Sequence, residues 1–477
     1  MKQQALYNKT KIIATIGPAT ESKEMLSKII LAGVDVCRIN FSHGSHVVHR
    51  QIIERIHELN RELGMSVALL GDLQGPKLRI GQMQDHVVLI NDDHIVVTTE
   101  SCMGTAQRIH VNYKNLPTEI KPDEVILIDD GNIQLRVVEI LSKSEIKAVV
   151  VDGGELKSNK GFNLPNTSMS LPCLTPKDLE DLAFAIEMKL DWIGLSFVRH
   201  HTDIKELRKL IVDGGSNSRI IAKIEKPQAV EHIDKIIKEA DAIMVARGDL
   251  GVEMPMELVP MIQKSIVEKC IEASKPVIIA TQMMESMISN PRPTRAETND
   301  VANAVMDGSD AVMLSAETSV GSYPLEVVQA MERIIGSTEL GWDIYHKGKK
   351  PHKSSPTFLS DEICFTAVRI SDHIKAKAII SLTHSGYTAF QIAGYRPNCD
   401  IFIFTSNKVI FRMLNLVWNI RVFFYDKLES TDTTILDVLE ILKKENLLKA
   451  GDKVVHTASM PIRSKARTNT IKISIVD

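Results

Sequence analysis

The 477 residues are 44% hydrophobic and 25% charged, with a formal net charge of −3. That balance offers no electrostatic footprint for nucleic acid or an anionic membrane surface, and the length exceeds what one core supports, so about three domains are expected. No apolar run approaches the roughly 20 residues of a bilayer span, the polar start lacks a secretory core, and six cysteines without paired spacing read as thiols of a reducing, cytoplasmic compartment.

Short β-branched runs alternate with helical periodicity along most of the chain. Strands are expected at residues 11–15, 35–40 and 67–72, then at 192–197, 219–224, 242–246, 277–281 and 311–315. Amphipathic segments such as 179–189 and 256–274 lie between them. Eight strands in this rhythm predict an α/β fold, a (β/α)8 TIM barrel.

Residues 76–171 break the rhythm and read instead as strands at 86–90, 95–99, 125–128, 133–140 and 146–151. Turn signals at Asn91-Asp92-Asp93, Asp129-Asp130-Gly131 and Asp152-Gly153-Gly154 separate them. This predicts an all-β lid domain inserted into a barrel made of residues 1–75 and 172–345. A basic, proline-bearing stretch at 346–356 marks the next boundary. Strands expected at 378–381, 401–405, 422–424, 453–456 and 471–476 make residues 346–477 a separate open α/β domain.

The stretch IIAKIEKPQAV (220–230) carries the clearest chemical signal. An apolar strand ends in Lys223 and Glu225, which point to the same side because strand side chains alternate. Buried charges are costly unless paired, metal-bound or used. The other strand ends add Asn40 and Ser42, Asp72, Asp249, Thr281 and Ser315. In a barrel of this type the active site lies at the carboxyl ends of the strands. Polar groups gathered there, rather than scattered over both rims, mark one site.

Glu225 and Asp249 end adjacent strands with no histidine or cysteine beside them, a donor set that suits Mg²⁺ or Mn²⁺. His43, His46 and His49 open a helix without the frame zinc requires, and His46 and His49 read as its solvated face. Arg247-Gly248-Asp249 leaves a strand into a helix start, where backbone N–H groups meet anions and Gly248 permits close approach. Lys223 is a fixed cation for charge developing on a phosphoryl group or an enolate.

These strings resemble the pyruvate kinase family over essentially the whole chain: TKIIATIGPAT (10–20), CRINFSHG (37–44), GDLQGPKLRIG (71–81), NKGFNLP (159–165), IIAKIEKPQAV, MVARGDLGVE (244–253) and residues 280–318. The resemblance implies transfer of a phosphoryl group from phosphoenolpyruvate to ADP, giving pyruvate and ATP. By it, Glu225 and Asp249 match the divalent-metal ligands and Lys223 the lysine that stabilises the moving phosphoryl group. Gly248, Asp249 and Thr281 match the cradle of the substrate carboxylate, and Arg38 a phosphate contact. Asn40, Phe41, Ser42, His43, Arg79 and Lys160 match nucleotide-side contacts, and Thr281 with Ser315 a proton relay to the enolate.

Potassium-dependent members hold K⁺ at positions matching Asn40, Ser42, Asp72 and the Leu73 carbonyl. This chain carries Leu73-Gln74 with Lys77, the pattern of K⁺-independent members, in which a tethered ammonium replaces the ion. In the last domain, Thr383, Ser385, Gly386 and Thr388 form a phosphate-type loop, with Arg463, Lys465 and Arg467 as counter-charges for a sugar-phosphate effector. His384 and Tyr387 depart from the family loop. The resemblance further implies a homotetramer and a regulatory or oligomerising role for this domain. Two rival readings are a metal-dependent lyase or aldolase acting on an enolate, and a non-catalytic sugar-phosphate sensor. The first needs no nucleotide-contacting lid, so Arg79 and Lys160 speak against it. The second predicts loss of Lys223, Glu225, Asp249 or Thr281, and all four are present.

Overall fold

The computed structural model describes residues 8–167, 169–342, 349–427, 430–461 and 466–477. Eight parallel strands close a barrel: β1 (Lys11–Thr15), β2 (Val36–Asn40), β3 (Ala68–Asp72), β4 (Trp192–Leu195), β5 (Arg219–Ile224), β6 (Ala242–Ala246), β7 (Val277–Ala280) and β8 (Ala311–Leu314). Each pairs with its neighbours in sequence, and β8 pairs with β1 to close the ring.

Strand alternation divides the apolar residues into two sets. Ile13, Val36, Leu70, Ile221, Met244 and Ile278 pack together inside the barrel. Ile12, Cys37, Leu69, Ile220, Ile243 and Ile279 face the helical shell. Arg38, Asp72, Lys223, Glu225 and Ser315 share the parity of the interior set, so at the rim they face the barrel axis. The shell helices start at side-chain caps, among them capping boxes at Thr175 and Thr294, where N–H groups of the first turn need acceptors.

The structure shortens some expected elements. β4, β7 and β8 stop before Phe197, Thr281 and Ser315, because Phe197 (φ 56°) and Thr281 (φ 68°) turn left-handed and Ser315 leaves the extended region. Residues 256–274 form a 3₁₀ turn, Met256–Leu258, and then a helix, Val259–Ala273, that starts with Pro260 in its first turn.

The inserted segment has its own apolar core, including Ile80, Val97, Ile126, Leu135 and Phe162. Its six-stranded sheet runs in the order Phe162–Asn163, Val125–Ile128, Ile133–Ile140, Glu145–Asp152, His94–Thr98, Arg108–His110. The first and last of these were not apparent from periodicity: at two and three residues they are too short to show it.

The carboxy-terminal sheet is five-stranded, in the order Ile420–Phe424, Asp400–Thr405, Ala378–Leu382, Lys453–Ala458, Thr470–Ile475, with only the last strand antiparallel. This domain stoppers the amino rim of the barrel. Arg396 is buried and grips both oxygens of Asp310 at 3.1 and 2.8 Å, stacked 4.8 Å from the Trp418 ring. Arg412 pairs with Asp191 at 3.0 Å, and the Trp192 indole donates to the Met413 carbonyl at 3.1 Å. Among the described residues no helix is long and apolar enough to cross a membrane.

A buried ion pair with one partner removed leaves a charge without compensation. Arg396→Met is therefore expected to lower stability by about 3–5 kcal/mol, read from urea melts; a loss below about 1 kcal/mol would show that the pair contributes no more than a surface bridge.

Candidate active site

Three strand ends meet in a charged cluster at the carboxyl rim. From β5, the Lys223 Nζ lies 2.9 Å from Glu225 Oε1 and 3.3 Å from Asp72 Oδ1, and donates to Ser196 Oγ at 2.7 Å. From β2, Arg38 donates through Nε to Asp72 Oδ2 at 2.7 Å and through Nη1 to Thr15 Oγ1 at 2.9 Å. The register sets Asp72 beside both Asn40 and Gly194, which centres it among the three neighbouring strands.

Burial sets the electrostatics. It would push the Lys223 amine down, but Asp72 and Glu225 outweigh it and push the amine up, so it stays an ammonium. Burial would likewise raise the Asp72 carboxyl, yet Lys223 and Arg38 hold it below the usual range. Glu225 goes the other way: burial dominates, Lys223 opposes it, and the charge of Asp249 adds to the rise. Among these groups the carboxylates outnumber the cations by one, which leaves room for an added cation next to Glu225 and Asp249.

Thr281 is held by its neighbours. Its Oγ1 accepts from the Gly248 N–H at 2.7 Å and donates to the Ala280 carbonyl at 2.6 Å. Arg247, paired with Asp300 at 2.6 Å, donates to the Thr281 carbonyl at 2.9 Å. A β-branched residue at positive φ is strained, and such strain clusters at functional turns. A Cβ at Gly248 would stand 3.3 Å from Thr281 Oγ1, so glycine permits this approach.

Arg38, Asp72, Ser196, Lys223, Glu225, Asp249 and Thr281 line one cavity of about 100 Å³ that also takes in Asn40, Ser42, His43, Leu73, Lys77 and Ser315, whereas Arg247 and Gly248 line a neighbouring cavity of about 700 Å³ that shares Asp249 with it. A further cavity of about 290 Å³ opens from the first between barrel and lid, sharing Lys77, Phe197 and Asp249 and adding Arg79 and Lys160. Lys160 pairs with Asp129 at 2.7 Å, and Arg79 donates to the Asn159 carbonyl at 2.7 Å. Lys223, Glu225, Asp249 and Thr281 thus share a hollow beneath the lid.

Phe41 is the exception. Its ring is buried in the helical shell between His49 and Phe184, and only its carbonyl, which accepts from Lys177 at 2.8 Å, points elsewhere. His49 is not on a solvated face but buried beneath Gly44 and Phe41, and His46 is tied to Asp181 at 2.7 Å.

Ser196, Lys226, Glu253 and Asn163 also belong to the site, although the strand pattern does not mark them. Ser196 follows the last residue of β4, and the strand-end rule would have found it had the strand not been extended to 197. Lys226 and Glu253 form a buried pair that also receives the Asn163 amide of the lid at 2.6 Å, and Lys226 sits 4.9 Å over the Phe197 ring. Nothing local announces that contact, since its members lie far apart in the chain.

In the last domain, Thr383, Ser385, Thr388 and Arg467 line a separate cavity of about 300 Å³. Gly386 (φ 82°) starts the following helix and donates to Thr383 Oγ1 at 3.0 Å. The Tyr387 hydroxyl is turned to Thr357 at 2.7 Å and to Asp361. Arg463 and Lys465 lie outside the described residues.

A closed parallel barrel with these groups beneath a separate lid defines an enzyme built to handle an anionic substrate. Residues 7–328 match the family described as "Pyruvate kinase, barrel domain", and residues 361–474 match "Pyruvate kinase, alpha/beta domain". A pyruvate kinase of Sporosarcina psychrophila is 41% identical over 98% of this chain and 80% of its own length. One from Staphylococcus aureus is 40% identical over the same shares. A crystal structure of a pyruvate kinase from Cryptosporidium parvum superposes with a TM-score of 0.94 at 34% identity, covering 100% of this chain and 98% of the other. The chain belongs to the pyruvate kinase family. Its activity is phosphoryl transfer from phosphoenolpyruvate to ADP, the final step of glycolysis, and neither a lyase nor a mere sensor.

The depressed carboxyl of Asp72 gives a signed pH prediction. Its contribution to stability is complete above the ordinary aspartate value of about 3.9 and is lost as the pH falls through the lower folded value. Asp72→Asn leaves two buried cations short of a partner, so it is expected to lower the melting temperature at neutral pH. It should also flatten the fall of melting temperature below about pH 4. An unchanged acid limb would show that Asp72 does not balance Lys223 and Arg38.

Proposed function

We propose that the charged cluster at the carboxyl rim performs this transfer with the residues in the following roles. Lys223 faces the phosphoryl group in flight, where its ammonium, kept protonated by Asp72 and Glu225, offsets the negative charge that spreads over the oxygens. Arg38, fixed by Asp72 and Thr15, orients the phosphate of phosphoenolpyruvate. The substrate carboxylate rests on the turn of Gly248 and Asp249 against Thr281. Because the Gly248 amide is already engaged by Thr281, the Asp249 amide is the donor this turn offers. An ADP β-phosphate oxygen attacks phosphorus in line, the bond to the enol oxygen breaks, and the enolpyruvate is protonated at carbon through Thr281 and Ser315. The single observation that carries this reading is the convergence of Lys223, Glu225, Asp249 and Thr281 on one cavity beneath the lid.

Glu225 and Asp249 fit Mg²⁺ or Mn²⁺: both are oxygen donors on one wall, and burial beside each other's charge raises the Glu225 carboxyl, a cost a divalent cation relieves. When bound, that ion supplies positive charge to substrate oxygens. Asn40, Ser42, His43, Arg79 and Lys160 bound the nucleotide side, and lid closure excludes water so that ADP rather than solvent receives the group.

Lys77 projects into both cavities. We assign it the role that K⁺ plays beside Asn40, Ser42, Asp72 and Leu73 in dependent members, so the enzyme turns over without K⁺. The loop from Thr383 to Thr388 with Arg467 is the effector site for a sugar phosphate, the assembly is a homotetramer, and the compartment is the cytoplasm, in keeping with six free thiols.

In an assay with phosphoenolpyruvate, ADP and Mg²⁺, Lys223→Met is expected to lose about 10³-fold or more in kcat with an unchanged circular dichroism spectrum; near-normal turnover would remove Lys223 from the mechanism. In potassium-free buffer the unaltered enzyme should be fully active. Lys77→Glu should lose about tenfold or more there and regain it with KCl. A wild-type enzyme silent until KCl is added would refute the assignment of Lys77.

A further inference from the structure

On the far side of the barrel from the active site, a crevice of about 410 Å³ runs between the helix His201–Asp213, the loop leading into β5, and the helix Lys408–Met413 of the carboxy-terminal domain. Its floor is ionic. Arg208 and Arg219 both pair with Asp241 at 3.0 Å, one on each carboxylate oxygen. Lys275 adds a third positive charge within electrostatic reach of Asp241, its own nitrogen held by the Ala240 carbonyl. Glu239 is paired with Lys205 at 3.5 Å, its carbonyl accepts from Arg208 at 2.7 Å, and Asp191 at the same rim is taken by Arg412. One carboxylate therefore answers three cations.

The guanidiniums are only partly consumed. Arg219 engages Asp241 through Nη1 alone, and both arginine side chains keep about a third of their surface exposed, 38% for Arg208 and 32% for Arg219. The apolar surface of the crevice is two lips, Val212 (63% exposed) on the Arg208 helix and Val409 (36%) on the facing helix, above the buried side chains of Ile410 and Met413. A concavity with convergent polar donors and some apolar surface for the body of a ligand can hold a small molecule, and the volume of about 410 Å³ falls in the usual range. Guanidiniums with N–H groups to spare select carboxylate or phosphate.

We propose that this crevice is a second ligand site that takes a small organic anion, a phosphate monoester or carboxylate carried on an apolar or planar body. Its position gives it reach into both domains. Arg219 opens β5, the strand that ends in Lys223 and Glu225. The same guanidinium stacks 5.4 Å from Phe390 in the helix that follows the Thr383–Thr388 loop. Asn407, on the opposite lip, donates to the His384 carbonyl at 3.3 Å and caps the helix beneath it. The crevice is separate from the cavity that this loop itself lines.

The test uses the full-length enzyme labelled with ¹³C at its methionine methyls, the Met413 signal being assigned through Met413→Leu. Phenyl phosphate, benzoate and inorganic phosphate are titrated separately. The Met413 signal is expected to move saturably with phenyl phosphate or benzoate, the responding probe identifying the head group, and about tenfold more weakly with inorganic phosphate, which lacks the body for the apolar lips. Arg219→Gln should weaken the response about tenfold or more. Val409→Glu, which leaves the ion network alone and sets a like charge at the mouth, should weaken it too, while Arg467→Gln should not. A Met413 signal unmoved by both ring-bearing probes, or moved as strongly in Arg219→Gln and Val409→Glu as in the unaltered enzyme, would overturn the site and leave the arginines as an internal tie alone.

Discussion

The contact on which the site depends is the one between the Lys223 ammonium and the carboxylates of Asp72 and Glu225. A lysine this deep in a barrel would ordinarily shed its proton, because water cannot solvate its charge. Two carboxylates reverse that, and Arg38 in turn prevents Asp72 from becoming a burden. With Asp249 added, the carboxylates outnumber these two cations by one, and the cluster lies open on the lid side. It is organised before any substrate arrives, so little reorganisation remains for the moment of transfer.

Strand geometry explains why such a cluster can exist. A parallel strand offers its interior side every second residue, and those positions are mostly apolar, Ile, Leu, Val and Met with alanines and Trp192, until the carboxyl rim. At the rim the same parity delivers Arg38, Asp72, Lys223 and Glu225 to the axis without any change in local conformation. The remaining groups come from turns that do change conformation. Thr281 is held at positive φ because Arg247 and Gly248 fasten both its ends, so the backbone strain is met by hydrogen bonds and an ion pair nearby.

This difference also decides what could be read in advance. Lys223, Glu225 and Asp72 were legible because they follow unmistakable β runs, and the barrel itself was legible because period two alternates with longer helical segments. The direction of the Phe41 ring was not: the residue stands one past a strand end, and only its packing on His49 and Phe184 turns it away from the cleft. The pair of Lys226 with Glu253, and its tie to Asn163 of the lid, depends on two helices and a lid strand meeting in space. Charge pairs of that kind leave no periodic trace, and neither do lid strands of two and three residues.

The carboxy-terminal stopper has a consequence for how this chain can be divided. Asp310 and Asp191 lie at the amino ends of β8 and β4, and their cations, Arg396 and Arg412, come from the other domain. A barrel cut free of its last domain would carry both carboxylates without counter-ions, with the Trp192 indole stripped of its acceptor. The two parts are tied by these ionic seams, and exchanging the last domain between relatives requires that the receiving barrel and the donor agree on them.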